Sequence, residues 1–239
     1  MSLLTVVRHG QASFLSDDYD RLSAAGEKQA ALLADYWLAQ GMEFDAVYYG
    51  PAERHTRTGE IVAGRFRSAG RAWPKPVVLP ELDEFPAEAI VRTFLPGLLP
   101  HEPQLRSWKE ELSNGVDTQA RQRAFDGILR EVALRWARGQ LHSPGIPTWQ
   151  DFCHCVEATV RRMTGEAPKS SRLLVFTSSG PKAATARVAM QLSYEATLEL
   201  TWMPRNCSVS EFLFTTGRFS LSTFNTTPHL TDPALLTYR

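Results

Sequence analysis

The chain opens on a short continuous apolar run, Leu3 to Val7, the pattern of a strand covered on both faces of a parallel sheet. A polar segment from Arg8 to Asp20 follows. Ser23 is then placed to cap a helix reaching about Gln40, with Ala30, Leu33, Tyr36 and Trp37 at core spacing and Gly41 to end it. Ala46 to Tyr49 predicts a second strand, and Pro51 the first residue of a helix running to about Phe66. Val77 to Leu79 predicts a third strand, closed by the acidic turn Glu81, Leu82, Asp83, Glu84. Strand, helix, strand, helix in this order argues for a parallel sheet with helices on both faces.

The pattern then changes. From about Pro86 to Pro168 the chain is punctuated by proline and mostly helical, with amphipathic stretches near Gln119 to Arg138 and Trp149 to Met163, so it reads as an inserted helical cap. Arg172 to Thr177 resumes the buried-strand pattern. Ser178, Ser179 and Gly180 make a tight turn, and Pro181 opens a helix to about Gln191. Val209 to Phe214 and Phe219 to Phe224 alternate around Thr216 and Gly217, which predicts an antiparallel hairpin at the sheet edge. The expected architecture is α/β: a three-layer sandwich with a mostly parallel central sheet, in a single domain over 1–239 that includes a helical cap insertion at about 86–168.

Composition narrows the class. The 239 residues are 43% hydrophobic and 22% charged, with 26 basic and 26 acidic side chains. A chain of this kind buries a full core, and its zero formal charge gives no general attraction for nucleic acid or an anionic membrane. No secretory leader or membrane span is read, so a cytoplasmic location is expected. Three cysteines suit reduced thiols better than a disulfide framework. Cys153, His154 and Cys155 look like metal ligands, but in a helix neighbours one and two apart do not share a face. Cys207 reads as a small buried hydrophobe.

In an open parallel sheet, ligands collect beyond the carboxyl ends of the strands. Arg8, His9 and Gly10 follow the first strand, Arg54 follows the second, Glu84 the third, and Ser178 to Gly180 the fourth. Free backbone N–H groups at a helix start beside a guanidinium fork match phosphate oxygens. His55 reads as a capping or packing residue, Arg57 and Arg92 as exposed charges, and Trp108, Trp136 and Trp149 as core anchors of the cap.

The ordered segments VVRHG, DRLSAAGEKQAALLADYW, FDAVYYGPAERHTRTGE, LDE and NTTPHL resemble the signature of the histidine phosphatase superfamily, which includes the cofactor-dependent phosphoglycerate mutases. The resemblance covers most of the sheet domain. It implies that His9 attacks phosphorus to give a phosphohistidine, that Arg8 and Arg54 hold the phosphoryl oxygens, and that a protonated Glu84 serves the leaving oxygen. It implies no metal and no cofactor, and a small phosphorylated substrate as partner. The sequence departs from the family where a second histidine and a glycine are usual: Ser178 and Ser179 stand there, as candidate neutral donors to phosphate.

A slow or substrate-restricted phosphomonoester hydrolase is therefore the leading expectation. A phosphate-binding or regulatory module with impaired turnover comes next, and a phosphoglycerate-type mutase last. Ser178 is expected to limit turnover, so that Ser178→His raises it; the competing reading is that Lys182 or His229 already supplies the missing charge. The substrate and the oligomeric state are not legible.

Overall fold

The computed structural model describes residues 1–12 and 20–238, so most of the polar segment predicted after Val7 falls outside it. Six strands form one sheet: β1 (Ser2–Arg8), β2 (Ala46–Tyr49), β3 (Val77–Val78), β4 (Arg172–Thr177), β5 (Val209–Thr215) and β6 (Arg218–Thr226). Their spatial order is β3-β2-β4-β1-β5-β6. The pairs β3–β2, β2–β4 and β4–β1 are parallel, while β1–β5 and β5–β6 are antiparallel, so the predicted hairpin does lie at the edge.

Alternation along β1 and β4 sends side chains into two cores, as period two requires. Val7, Leu174 and Phe176 face the layer made by α1 (Ala24–Ala39) and α2 (Glu53–Ser68), among Leu33, Trp37, Val62 and Phe66. Leu4, Val6, Leu173 and Val175 face the other way. That second core also takes in Trp136 of α5 (Thr118–Ala137), Val156 and Val160 of α6 (Trp149–Glu166) and Ala184 of α7 (Ser179–Met190). The predicted helical segment thus holds α3 (Ala87–Leu98), α4 (Pro103–Asn114), α5 and α6, which share their core with the sheet.

Helix ends show where sequence and structure differ. Ser23 caps α1 through Gly26 N, and Gly41 follows at φ +63°, both as expected. Helix α2 starts at Glu53, two residues beyond the Pro51 start. Its cap position is Ala52, which has no side-chain acceptor, and Asp20 supplies the carboxylate instead, accepting from Glu53 N at 2.8 Å and Arg54 N at 3.4 Å. Helix α7 starts at Ser179, before Pro181, because the Glu84 carboxylate satisfies Gly180 N while the proline falls in the first turn, where no N–H is needed. The short helix α8 (Tyr194–Thr201) was not read from the sequence; its one local signal is Ser193, which accepts from Ala196 N.

Gly10 and Gln11, which follow β1, lie against the start of α1 in backbone contact. Gln11 N donates to the fully buried Gln29, Ser23 N donates to Gln11 O, and a β-carbon on Gly10 would come within 2.5 Å of Gly26 O. A β-carbon on Gly26 would meet Gln11 O and N. Backbone atoms cannot rotate away, so Gly26→Ala is expected to cost about 1–3 kcal/mol by overpacking. Urea unfolding of the variant checks this, and an unchanged midpoint would mean that the loop has slack.

Candidate active site

The pairing of β1 with β4 continues one residue past the strand: His9 N donates to Thr177 O at 2.9 Å, and Cys207 N donates to His9 O at 3.0 Å. The imidazole is 4% exposed, and its Nδ1 lies 2.7 Å from Gly10 O. Burial, then Arg8, Arg54 and His55, hold the ring well below the usual histidine range, against a smaller opposite effect of the Gly10 carbonyl. His9 is therefore neutral at physiological pH. A carbonyl can only accept, so Nδ1 carries the proton and Nε2 keeps its lone pair.

Beside it, Arg54 pairs with Asp20 at 2.6 Å and donates from Nη2 to Ser178 Oγ at 3.3 Å. Ser178 Oγ also lies 2.5 Å from Nε2 of His55, a fully buried residue on the first turn of α2. The His55 ring centroid is 5.7 Å from that of His9. Burial and Arg54 lower the His55 pKa well below the usual range, and the Gly50 backbone opposes them. Thus an imidazole does stand at the Ser178 station, but it comes from α2, where the sequence reading assigned it a packing role. The one sequence signal was that the Arg-His pair at 8–9, at the end of β1, recurs at 54–55, in the first turn of α2. A histidine at position 178 would meet this ring, which removes the basis for expecting a gain from Ser178→His.

Glu84 and Ser179 meet at the next turn. Glu84 accepts from Ser179 Oγ at 2.9 Å, from Gly180 N at 3.0 Å and from Phe85 N at 3.1 Å. The guanidinium of Arg8 donates to the carbonyls of Pro204 and, at 2.6 Å, Tyr238. Arg8 and Ser179 border a cavity of about 440 Å³, whose other walls include Gln122, Asp126 and Arg130 of α5, Trp202 after α8, and Tyr238.

Lys182 is fully buried and donates to Ser208 O at 2.6 Å and Ser208 Oγ at 2.8 Å; burial, then Arg8, depress its pKa. His229 stacks at an angle on Tyr36, 6.4 Å between centroids. Neither replaces His55 as the ring at Ser178. In α6, Cys153 is buried and Cys155 exposed, consistent with their different faces. Among the described residues, no cluster of His, Cys, Asp and Glu is suited to a metal, and no helix is long and apolar enough to cross a membrane.

A histidine and two arginines thus gather past the carboxyl ends of a mostly parallel α/β sheet. Residues 4–90 match the histidine phosphatase superfamily (branch 1), so the family resemblance read from the sequence stands. The matched segment holds Arg8, His9, Arg54 and Glu84; Ser178 and Ser179 lie beyond it. In structure the chain is similar to a phosphoserine phosphatase of Entamoeba histolytica (TM-score 0.61, 16% identity, 96% of this chain and 100% of that one). A mycobacterial glucosyl-3-phosphoglycerate phosphatase (0.62, 14%, 95% and 100%) and a phosphoglycerate mutase of Bacillus anthracis (0.61, 16%, 96% and 95%) are also similar. At these identities the likeness shows the fold alone. No curated protein matches the chain by sequence.

The buried His229 gives a pH prediction. Burial, then Lys182, push its pKa down to about 4, from the ordinary histidine value of about 6.5. The folded state thus refuses a proton that the unfolded chain accepts, so stability is full above pH 6.5 and falls as the pH drops toward 4. At about 1.4 kcal/mol per pKa unit the loss reaches about 3 kcal/mol. His229→Phe is expected to remove it. Urea unfolding of both proteins at pH 7, 5.5 and 4.5 checks this, since parallel pH profiles would place the titration elsewhere.

Proposed function

We propose that the chain is a phosphomonoester hydrolase acting through a phosphohistidine at His9. The observation that carries this reading is the neutral His9 ring, with Nδ1–H engaged by Gly10 O and Nε2 left as a nucleophile beside two arginines. In the first step Nε2 forms a bond to phosphorus as the phosphorus–oxygen bond to the leaving group breaks. Glu84 delivers a proton to the leaving oxygen. In the second step water attacks the phosphohistidine, returns a proton to Glu84 and releases phosphate. Arg8 and Arg54 balance the charge on the phosphoryl oxygens, and in-line positioning with electrostatic stabilisation supplies most of the rate. The cavity walled by α5, Trp202 and Tyr238 gives the leaving group its room. The substrate is a small phosphorylated molecule, and the reaction needs no metal or cofactor.

A second reading is a phosphate-ester binding module with poor turnover. It is favoured by the carboxylates of Asp20 and Glu84, which already occupy the starts of α2 and α7 that an incoming phosphate would use.

The two readings part in a panel of alkyl and aryl phosphomonoesters assayed with wild type, His9→Ala and Glu84→Gln. Hydrolysis is expected to disappear in His9→Ala, together with the acid-labile phosphoryl label on the protein. Glu84→Gln is expected to lose about a hundredfold or more on alkyl esters, and much less on aryl esters, whose leaving groups need no proton. Turnover that survives His9→Ala would exclude the phosphohistidine route, and phosphate binding without turnover in the wild type would favour the module.

A further inference from the structure

Arg8 ends β1 and is nearly sealed from solvent. Its Nη1 donates to two backbone carbonyls, Pro204 O and, at 2.6 Å, Tyr238 O. An arginine stem has many rotamers, and two acceptors on one nitrogen fix both that nitrogen and the plane of the guanidinium. These carbonyls orient the group without neutralising it, whereas Arg54 is held by the carboxylate of Asp20.

The two carbonyls belong to segments far apart in the chain, and buried side chains tie those segments together. Asn206, fully buried, lies two residues after Pro204; its N–H donates to Thr237 O at 2.8 Å and its Oδ1 accepts from Thr237 Oγ1 at 3.0 Å. Gln29 of α1 is also fully buried. Its Nε2 donates to Leu235 O at 2.8 Å and to Thr237 Oγ1 at 2.9 Å, while its Oε1 accepts from Gln11 N at 2.8 Å. The Thr237 hydroxyl is thus the junction: it accepts from Gln29, donates to Asn206, and belongs to the residue just before the carbonyl on Arg8. The network also flanks His9, because Gln11 lies two residues after it and Cys207, next to Asn206, donates its N–H to His9 O. Buried polar side chains are costly unless hydrogen-bonded, and the partners found here join β1, α1 and the segment Leu235–Tyr238 around one guanidinium.

We infer that Thr237 and Gln29 are positioning residues for the phosphoryl group: through the segment Leu235–Tyr238 they hold a carbonyl against Arg8 Nη1 and so fix the orientation in which its guanidinium meets an anion held before His9. The inference rests on the phosphoryl-transfer reading of the site. Neither side chain touches substrate; both act through Arg8, where a small misplacement of a positioned charge is felt in binding and in rate.

The test compares wild type, Thr237→Val and Thr237→Ser, and repeats Thr237→Val in an Arg8→Lys background. Thr237→Val is preferred to Gln29→Leu because it leaves Gln29 bonded to Gln11 N and Leu235 O. Three quantities are read: inorganic phosphate affinity by calorimetry, kcat/KM on an aryl phosphate, and the NMR signals of the Arg8 Nη groups in nitrogen-labelled protein, with thermal melting as the check on folding. Thr237→Val is expected to weaken phosphate binding about tenfold, as loss of one buried hydrogen-bonded junction does, and to lower kcat/KM in step. The separate Arg8 Nη signals should merge as rotation of the group is freed. Thr237→Ser keeps the hydroxyl and is expected to match wild type. In Arg8→Lys the same Thr237→Val change is expected to cost little more, because an ammonium is a point charge without a fork to orient. An equal loss in both backgrounds, or unchanged phosphate affinity in Thr237→Val, overturns the inference and leaves the network a support of the fold. A wild type that neither binds nor turns over phosphate esters, with its Arg8 Nη signals still separate, overturns the phosphoryl-transfer reading and with it the role assigned to this network.

Discussion

The site depends on the register between the first and fourth strands. Arg8 lies opposite Thr177, and the backbone bond from His9 to Thr177 carries the pairing one residue further. With that register, the residue after β1 and the turn after β4 face the same crevice, and α2 enters from the neighbouring strand with Arg54 and His55. A slip by one residue would send His9 to the opposite face of the sheet, since side chains alternate with period two. Two cores pin the register: Val7 and Phe176 on one side, Val6 and Val175 on the other, all but sealed from solvent.

Local signals made much of this legible. Caps, strand runs and the hairpin turn are written in consecutive residues, which is why α1, β1, β4 and the β5–β6 edge agree with their expected places. What was not legible depends on partners far apart in the chain. Asp20 and Glu84 cap helices that begin 33 and 95 residues away in sequence, and so moved both helix starts off the prolines. His55 shows the same limit at the site. A histidine in the first turn of a helix is ordinarily a packing residue, and only the meeting of α2 with the turn after β4 gives it a polar partner.

Lys182 illustrates how the environment redirects a charge. As a residue one turn into α7 it was a candidate cation for the site, but its ammonium is drawn inward to Ser208, beneath Arg8. Full burial disfavours its charged form, so it brings little electrostatic help to a phosphate. The lasting positive charge at this end of the sheet comes from the guanidinium groups of Arg8 and Arg54, which do not give up their protons at any physiological pH.

The tie between Arg54 and Asp20 has a consequence for which anions the pocket can accept. Asp20 sits on the guanidinium and on the start of the same helix, so it behaves as a tethered competitor at high effective concentration. A monovalent anion with two oxygens offers nothing that the carboxylate lacks, whereas a phosphoryl group brings a second charge and a third oxygen. On the proposed phosphate-binding reading, the consequence is selection by valence: background anions meet an internal rival that a phosphoryl dianion is better equipped to displace.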